Sequence, residues 1–328
     1  MTTAAAAQDG EDFARLTDPF RAELLAYCYR MLGSVHEAED QVQETLVRAW
    51  RGYGSFQGQA SLRTWLYRIA TNACLRALEN RSRRALPSGL AGPGGDPLGE
   101  PPATRPEVPW LQPIPDALFG SQPADPAVVV ASRQSMRLAL IAALQYLPAR
   151  QRAVLILRDV LAWRAAETAE LVGTTTTAVN SALQRARERL AQVSPAEEDI
   201  REPASPADRA LLGRYAAAFE NADVAALTQL LRDDATLEMP PQPAWFAGRE
   251  PVARFLATHV LRQAGAFRLI PTAANGQPAL ATYLRGRGGA WDAHGVQVLT
   301  ITAAGVTRIV SFNDPDLLAV FGLPRALP

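Results

Sequence analysis

The sequence predicts a multidomain chain in which two all-α blocks precede an α+β domain with a curved antiparallel sheet. Three observations carry this. At 328 residues with 48% apolar side chains, the chain can bury two or three ordinary cores. Helical apolar spacing runs to about residue 192, whereas β-rich runs begin only with FRLIPTAAN, at Phe267. Two breaks, one rich in Pro and Gly and one acidic, separate the blocks.

The first block, residues 13–86, repeats apolar side chains at helical spacing at Leu24, Leu25, Tyr27 and Cys28, and again at Val42, Leu46, Ala49 and Trp50. Ser34 to Glu37 reads as an S-x-x-E capping box. The helix it opens is expected to bury Val42, Leu46 and Trp50, leaving Glu37, Asp40 and Glu44 outward beside Gln43 and Val47. A second helix is expected from Leu62 to Arg84, with Leu66, Ile69, Ala70 and Ala73 on its buried side. It interleaves Trp65 and Tyr67 with Arg63, Arg68, Arg76, Arg81, Arg83 and Arg84, a mixture suited to stacking on unpaired bases while holding a phosphate backbone. Trp65 borders the buried side and serves either purpose.

Helical spacing then stops. From Pro87 to Pro126 there are eleven prolines and six glycines, the composition of an extended tether, and residues 87–127 are assigned to it. Inside it, Trp110, Leu111, Ile114, Leu118 and Phe119 are too apolar for a passive spacer and call for a surface to dock on. Residues 128–192 resume helical patterning, 193–206 form an acidic linker, and 207–328 form the α+β domain. Its opening helices are RALLGRYAAAFE, VAALTQLL with Asp223 as cap, and REPVARFLATHVLRQ; ALATYLRG, AHGVQVLTITAA and VTRIVSF follow as strands.

Several function classes are excluded at this level. No apolar run approaches the ~20 residues of a membrane span, and MTTAAAAQDG carries neither element of a secretory signal, so a cytoplasmic protein is expected. Cys28 and Cys74 lack the spacing of a metal knuckle or redox pair and read as buried free thiols; no metal or cofactor is expected. Thirty-three basic residues, every one arginine, balance thirty-three acids, but the balance is local. Arg133 to Leu190 holds nine Arg against four acids, and could meet a polyanion.

Within that basic stretch, AAETAELV, Gly173 and the helix from Thr175 to Leu190 read as helix-turn-helix. Val179, Ala182, Leu183, Ala186 and Leu190 form the buried stripe. The opposite face presents Thr176, Thr177, Asn180, Ser181 and Gln184, then Arg185, Arg187 and Arg189. Short hydrogen-bonding side chains backed by guanidiniums suit base edges flanked by phosphates.

LQYLPARQRAVLILRDVLAWRAAETAELVGTTTTAVNSALQRARERL, from Leu144, resembles region 4 of the sigma-70 family of RNA polymerase sigma factors, in the extracytoplasmic-function (ECF) group. HEAEDQVQETLVRAW resembles region 2.2, and ASLRTWLYRIATNACLRALENRSRR regions 2.3 and 2.4. The resemblance implies a promoter-specificity subunit with no catalysis of its own. Its partners would be promoter DNA and core RNA polymerase, through the β′ clamp and the β subunit. By the same resemblance Asp40, Gln43 and Glu44 meet the polymerase, and Trp65, Tyr67, Arg68, Asn72 and Arg76 capture the minus-ten strand. Thr176, Thr177, Asn180, Ser181 and Gln184 read the minus-thirty-five element, with Arg185 and Arg187 on phosphates. The Pro-rich connector replaces region 3.

RYAAAFENADVAALTQLLRDDATLEMPP, WFAGREPVARFL, TAANGQPALATY and FNDPDLLAVFGLP resemble SnoaL-like domains, cone-shaped α+β folds with a pocket. Sigma factors carrying this extension form recognised subgroups, in which it regulates in cis. Candidates for a ligand pocket are Trp245, His259, Asn275, Tyr283, His294 and Gln297, with Gln277 nearby. Some SnoaL relatives are cyclases, for which His259, Asp292, His294 and Asp314 would be the acid and base candidates. The alternative from another class is therefore a small-molecule cyclase, isomerase or ligand sensor tethered to a DNA-binding module.

Overall fold

A computed structural model describes residues 3–56, 58, 60–79, 81–119, 134–193 and 206–328. The chain forms two bodies that interleave in sequence. Met1–Arg83 and Leu118–Ser194 make the first; Arg84–Ala117 and Pro195–Pro328 make the second.

The first body opens with α1 (Thr3–Leu32), α2 (Val35–Gly52) and α3 (Leu62–Ala77). Ser34 caps α2, its hydroxyl accepting the Glu37 N–H at 3.3 Å. The stripe that α2 buries is Val35, Ala38, Val42, Thr45 and Ala49. That corrects the expectation for Trp50, which is 39% exposed, and for Leu46, which is half-buried at the edge. Thr45 enters an apolar row because its hydroxyl donates back to the Gln41 carbonyl at 2.7 Å, leaving no unpaired donor. Helix α3 stops at Ala77, short of the expected Arg84, so Arg81, Arg83 and Arg84 lie beyond it. Leu24, Tyr27, Cys28 and Met31 of α1 and Leu66, Tyr67, Ala70 and Cys74 of α3 are buried, and Tyr27 and Thr71 share a hydrogen bond of 2.7 Å. Both cysteines are free thiols. A hydrogen bond from Cys28, with burial, pushes the Cys74 thiol up, so it stays protonated.

The second part of this body comprises α4 (Leu138–Leu144), α5 (Ala149–Leu155), α6 (Ala165–Val172) and α7 (Thr176–Val193). A turn of π-helix, Ile156–Val160, ends α5. The helical onset expected near Val128 lies outside the described residues. Gly173 takes φ +70 at the end of α6, a left-handed cap that a Cβ would strain. Thr175 then starts α7, its hydroxyl accepting the Ala178 N–H at 3.2 Å. Val179, Leu183 and Ala186 are buried as expected, while Ala182 and Leu190 are half-buried.

In the second body, α8 (Pro206–Glu220), α9 (Val224–Leu230) and α10 (Arg249–Phe255) accompany a seven-stranded sheet. Its strands are β1 (Leu231–Glu238), β2 (Trp245–Ala247), β3 (Phe267–Ala274), β4 (Gln277–Arg285), β5 (Trp291–Thr302), β6 (Gly305–Phe312) and β7 (Ala326–Leu327). They run in the order β2-β1-β6-β5-β4-β3, with β7 paired to β5. The expected antiparallel sheet is corrected to a mixed one, because β1 pairs with β6 in parallel. A parallel pair requires a long crossover, and the chain between Glu238 and Gly305 supplies it. Asp223 caps α9 as expected, accepting the Ala226 N–H at 2.9 Å.

Strand alternation divides the sheet into two buried faces. Leu237, Leu269, Leu280, Leu299 and Ile309 join Tyr215, Phe219, Leu227, Phe246 and Phe255 in one core. Ala279, Ala281, Val296, Val298 and Val310 point to the other side and are equally buried. The proline-rich segment belongs to this body as a strap. The Ser88 N–H donates to Glu238 at 2.9 Å, Gly94 N–H to the Trp245 carbonyl at 2.8 Å, and Trp245 Nε1 to the Ala91 carbonyl at 2.8 Å. Further along, the Ile114 N–H donates to Asn275 Oδ1 at 3.1 Å and the Asn275 N–H returns to the Ile114 carbonyl at 3.0 Å. Leu111 and Ile114 are fully buried, and Trp110 nearly so, so this part of the apolar cluster read in the tether has found its surface, whereas Leu118 and Phe119 are half-buried and fall in the first body.

Candidate nucleic-acid interface

Helix α7 sets its functional side chains by period alone. With Val179, Leu183 and Ala186 turned inward, Thr176, Thr177, Asn180, Gln184 and Arg185 are exposed and Ser181 is half-buried. Gln184 Nε2 reaches Glu188 at 3.0 Å. Arg187 is 61% exposed, yet engaged: it forms a two-pronged pair with Asp159 at 2.9 and 2.7 Å, and that carboxylate raises the guanidinium pKa. A phosphate would have to take Arg187 from Asp159.

The acidic face of α2 is open at Asp40 and Gln43, while half-buried Glu44 pairs with Arg48 one turn later. Beside it an open groove of about 810 Å³ runs past Leu16, Trp50 and Tyr53, and Leu16, Val47 and Trp50 are 46%, 43% and 39% exposed. The helix thus offers apolar as well as acidic surface, which sequence periodicity missed by placing Trp50 inside.

On α3, Asn72 and Arg76 are exposed, and half-buried Trp65 stacks on Phe56 with ring centres 4.8 Å apart. Tyr67 departs from expectation, since none of it is exposed. Its ring lies 5.3 Å from Tyr27 and 5.0 Å from Trp163, which belongs to the segment before α6. The Arg63 guanidinium stands 5.1 Å from the Tyr67 ring centre and 5.5 Å from that of Trp163, held by both oxygens of Glu23. Arg68 pairs with Glu170 of α6. The helix read as the strand-capturing element is therefore covered by the segment that leads into the helix-turn-helix. Trp163, Arg63 and Glu170 complete this seam. Sequence reasoning left Trp163 and Glu170 out of the site because their partners lie about a hundred residues away, although a tryptophan between two helices was a visible signal.

The seam is polar for its burial. Trp163 Nε1 and Arg68 Nε are buried with no hydrogen-bond partner among the described residues, each a cost of roughly 1–3 kcal/mol. Arg152 donates to Gln145 Oε1 at 2.8 Å, to two backbone carbonyls of the helix-turn-helix block, and to the Met31 carbonyl of α1. Arg30 of α1 donates to Ser135 Oγ at 2.7 Å. Burial pushes both guanidiniums down to about 10, and they remain charged at neutral pH against neutral acceptors.

In the second body, a cavity of about 50 Å³ lies beside Tyr215, Phe219, His294, Gln297, Ser311 and Asn313. Tyr215 donates to Gln297 Oε1 at 3.0 Å, and burial lowers the His294 pKa, keeping the imidazole neutral. Only His294 and Gln297 of the six expected pocket residues line it. Strand alternation turns Tyr283 to the other face, where its hydroxyl meets the Pro324 carbonyl at 3.0 Å. Trp245 and Asn275 hold the strap, and the His259 ring packs 5.0 Å from Phe255 with its Nε2 unpartnered among the described residues. Gln277 is tied to Thr300 at 2.9 Å. The acid and base candidates do not converge: Asp292 is exposed at the start of β5, and Asp314 caps a turn through the Asp316 N–H. No group of three potential metal ligands occurs among the described residues, and no described helix is long and apolar enough to cross a membrane.

Comparison with known proteins covers the chain almost end to end. Residues 16–84 match Sigma-70 region 2, residues 137–190 Sigma-70 region 4, and residues 212–312 the SnoaL-like domain. The chain is 51% identical over 325 residues to the ECF RNA polymerase sigma factor SigG of Mycobacterium tuberculosis, covering 96% of this chain and 85% of that one. It is 28% identical over 253 residues to SigJ of the same organism, across 75% of this chain and 72% of SigJ. The crystal structure of M. tuberculosis SigJ superposes with a TM-score of 0.62 at 24% identity, covering 95% of this chain and 99% of that one, which shows a shared fold.

Proposed function

Because the chain belongs to the ECF sigma factors of RNA polymerase, transcription regulators rather than enzymes, we propose how its surfaces divide that task. Asp40, Gln43 and Glu44 of α2, with the apolar edge at Val47 and Trp50, dock on the β′ clamp; region 4 engages the β subunit. Helix α3 captures the minus-ten strand through Trp65, Arg68, Asn72 and Arg76, and Tyr67 contributes once the seam is open. Helix α7 reads the minus-thirty-five element through Thr176, Thr177, Asn180, Ser181 and Gln184, with Arg185 and Arg187 on phosphates. The observation that carries this reading is the free face of α7, whose leading half bears short hydrogen-bonding side chains with no apolar group larger than the methyl of Ala178.

The C-terminal body acts in cis by holding the strap, which is covalently continuous with both halves of the first body. Its cavity favours this over ligand sensing. A space of about 50 Å³ holds a few waters, well short of the roughly 300 Å³ at which small-molecule sites begin.

Run-off transcription tests the reading. Sigma-free core enzyme with this chain and genomic fragments should start RNA at defined positions, and Asn180→Ala should weaken the minus-thirty-five-dependent promoters among them. Absence of any defined start, or indifference of every promoter to Asn180→Ala, overturns it.

A further inference from the structure

The seam between α3 and region 4 carries an inference that rests on the reading above, in which α3 captures unpaired bases. We propose that region 4 presents Trp163 and Glu170 to α3 as a nucleotide mimic, the indole standing in for a base and the carboxylate for a phosphate.

What a single-stranded nucleic acid demands of a protein is a flat π surface and a guanidinium within reach of its backbone. Helix α3 offers both at one place. The Tyr67 ring and the Arg63 guanidinium pack on each other 5.1 Å apart and present one joint surface, and Arg68, on the next turn, supplies a second cation. Trp163 packs on both, its ring 5.0 Å from Tyr67 at a tilt of 55° and 5.5 Å from Arg63. Glu170, seven residues on, takes Arg68 at the rim, where the two side chains remain 41% and 66% exposed. One short stretch of region 4 thus delivers an aromatic plane and an anion to the two groups on α3 that a nucleotide would use.

Ordinary interdomain packing explains the burial of Trp163 but not its chemistry. A permanent interface pairs its buried donors. Here Trp163 is 6% exposed and its indole N–H has no acceptor among the described residues; Arg68 Nε is also buried and unpartnered, although the rest of that side chain reaches solvent. Once the mimic swings out, water satisfies the indole N–H, and Arg68 Nε, which stays on α3, is free to donate to an incoming strand. The Arg68 pair at the rim is solvent-screened and the first contact that competing phosphates can break. The mimic therefore keeps the free chain off adventitious single strands and yields where promoter DNA and polymerase act together.

The test uses the purified full chain and a fluorescein-labelled pool of randomised 12-nucleotide single-stranded DNA, read by anisotropy at low salt. Glu170→Gln and Trp163→Ala should each tighten binding by tenfold or more over wild type. Glu250→Gln, the same charge change at an exposed pair in the second body, should move it less than twofold. Adding Arg68→Ala to Glu170→Gln should abolish the gain. If Trp163→Ala does not fold, Glu170→Gln alone decides, since Glu170 is a rim residue. Affinity within twofold of wild type for folded Glu170→Gln, or an equal gain in Glu250→Gln, overturns the mimic. A second arm separates this from failure of the α3 reading: in holoenzyme, Arg68→Ala should reduce open-complex formation. Loss there without a gain in the free chain sinks only the mimic, whereas an unaffected Arg68→Ala holoenzyme sinks the α3 reading and the mimic with it.

Discussion

Replacing Ile114 with Ala tests whether the strap is held where the structure places it. Ile114 is fully buried, and its backbone exchanges two hydrogen bonds with Asn275. Deleting buried aliphatic carbons costs roughly 2–5 kcal/mol, depending on how far the site collapses. A strap seated on a surface relaxes more readily than a helix inside a core, so the low end applies, about 2 kcal/mol. If the strap opens as a local unit, that energy raises its open population about 30-fold, at one decade per 1.4 kcal/mol. Hydrogen exchange of the full chain, followed by mass spectrometry, reads this directly. Amides protected by the strap, including Leu111 on the Ala85 carbonyl, Asn275 on Ile114 and Gly94 on Trp245, should exchange about 30-fold faster. Amides of α2 and α3 should keep their wild-type rates. Wild-type exchange across the strap, or equal acceleration in α2 and α3, refutes the reasoning.

Three other outcomes are expected. Arg187→Ala should weaken promoter binding by holoenzyme and flatten its dependence on salt by roughly one counterion, a slope change of about 0.9 in a log–log titration; an unchanged slope removes Arg187 from the phosphate contacts. Gly173→Ala, at φ +70 with open space around it, should cost about 1 kcal/mol through backbone strain alone, seen as a lower denaturant midpoint with unchanged m-value; a neutral result means the α6 cap is not rigidly left-handed. His294 is half-buried with its pKa lowered from 6.5 by desolvation, so its neutral form contributes stability that is present above about pH 6.5 and lost as pH falls through the folded-state value. The thermal unfolding midpoint of the C-terminal body should therefore fall from pH 7 to pH 5.5, and His294→Gln should flatten that slope; identical profiles would show that His294 does not titrate in that window.

What could be read from sequence follows the range of the interactions involved. The α7 stripe, the Asp223 cap and strands β3 to β6 are written in spacing of a few residues, and each appears close to where it was expected. Strand β1 was not anticipated, because LRDDATLE sets three charged residues in a row and its alternation shows only at Ala235 and Leu237. Its partner in the sheet lies some seventy residues later. Trp50 was misplaced for the opposite reason: two buried rows fit α2 by hydropathy, and the observed one includes Thr45, which looks polar until its bond to Gln41 is seen. On α3, Arg68, Asn72 and Arg76 were identifiable by type, but the burial of Tyr67 depends on Trp163, which no local pattern could bring beside it. The strap's composition spoke for an extended chain, and between its short 3-10 turns at Pro87–Gly89 and Asp116–Phe119 it forms no helix; proline content says nothing about whether such a chain lies on a surface.

The strap's bonds to its seat span 150 residues between Ser88 and Glu238, 161 between Ile114 and Asn275, and 160 between Asp116 and Gly276. During synthesis at 5–20 residues per second, these partners emerge roughly 8–30 s apart. For that interval the ribosome displays a nascent chain whose helical first block is finished while its proline-rich segment has nowhere to settle. The seat itself waits longer still, because β1 cannot find its parallel neighbour until Val310 has left the tunnel. A message truncated before that point would yield a protein with every helix of the first body made and the strap left without its seat.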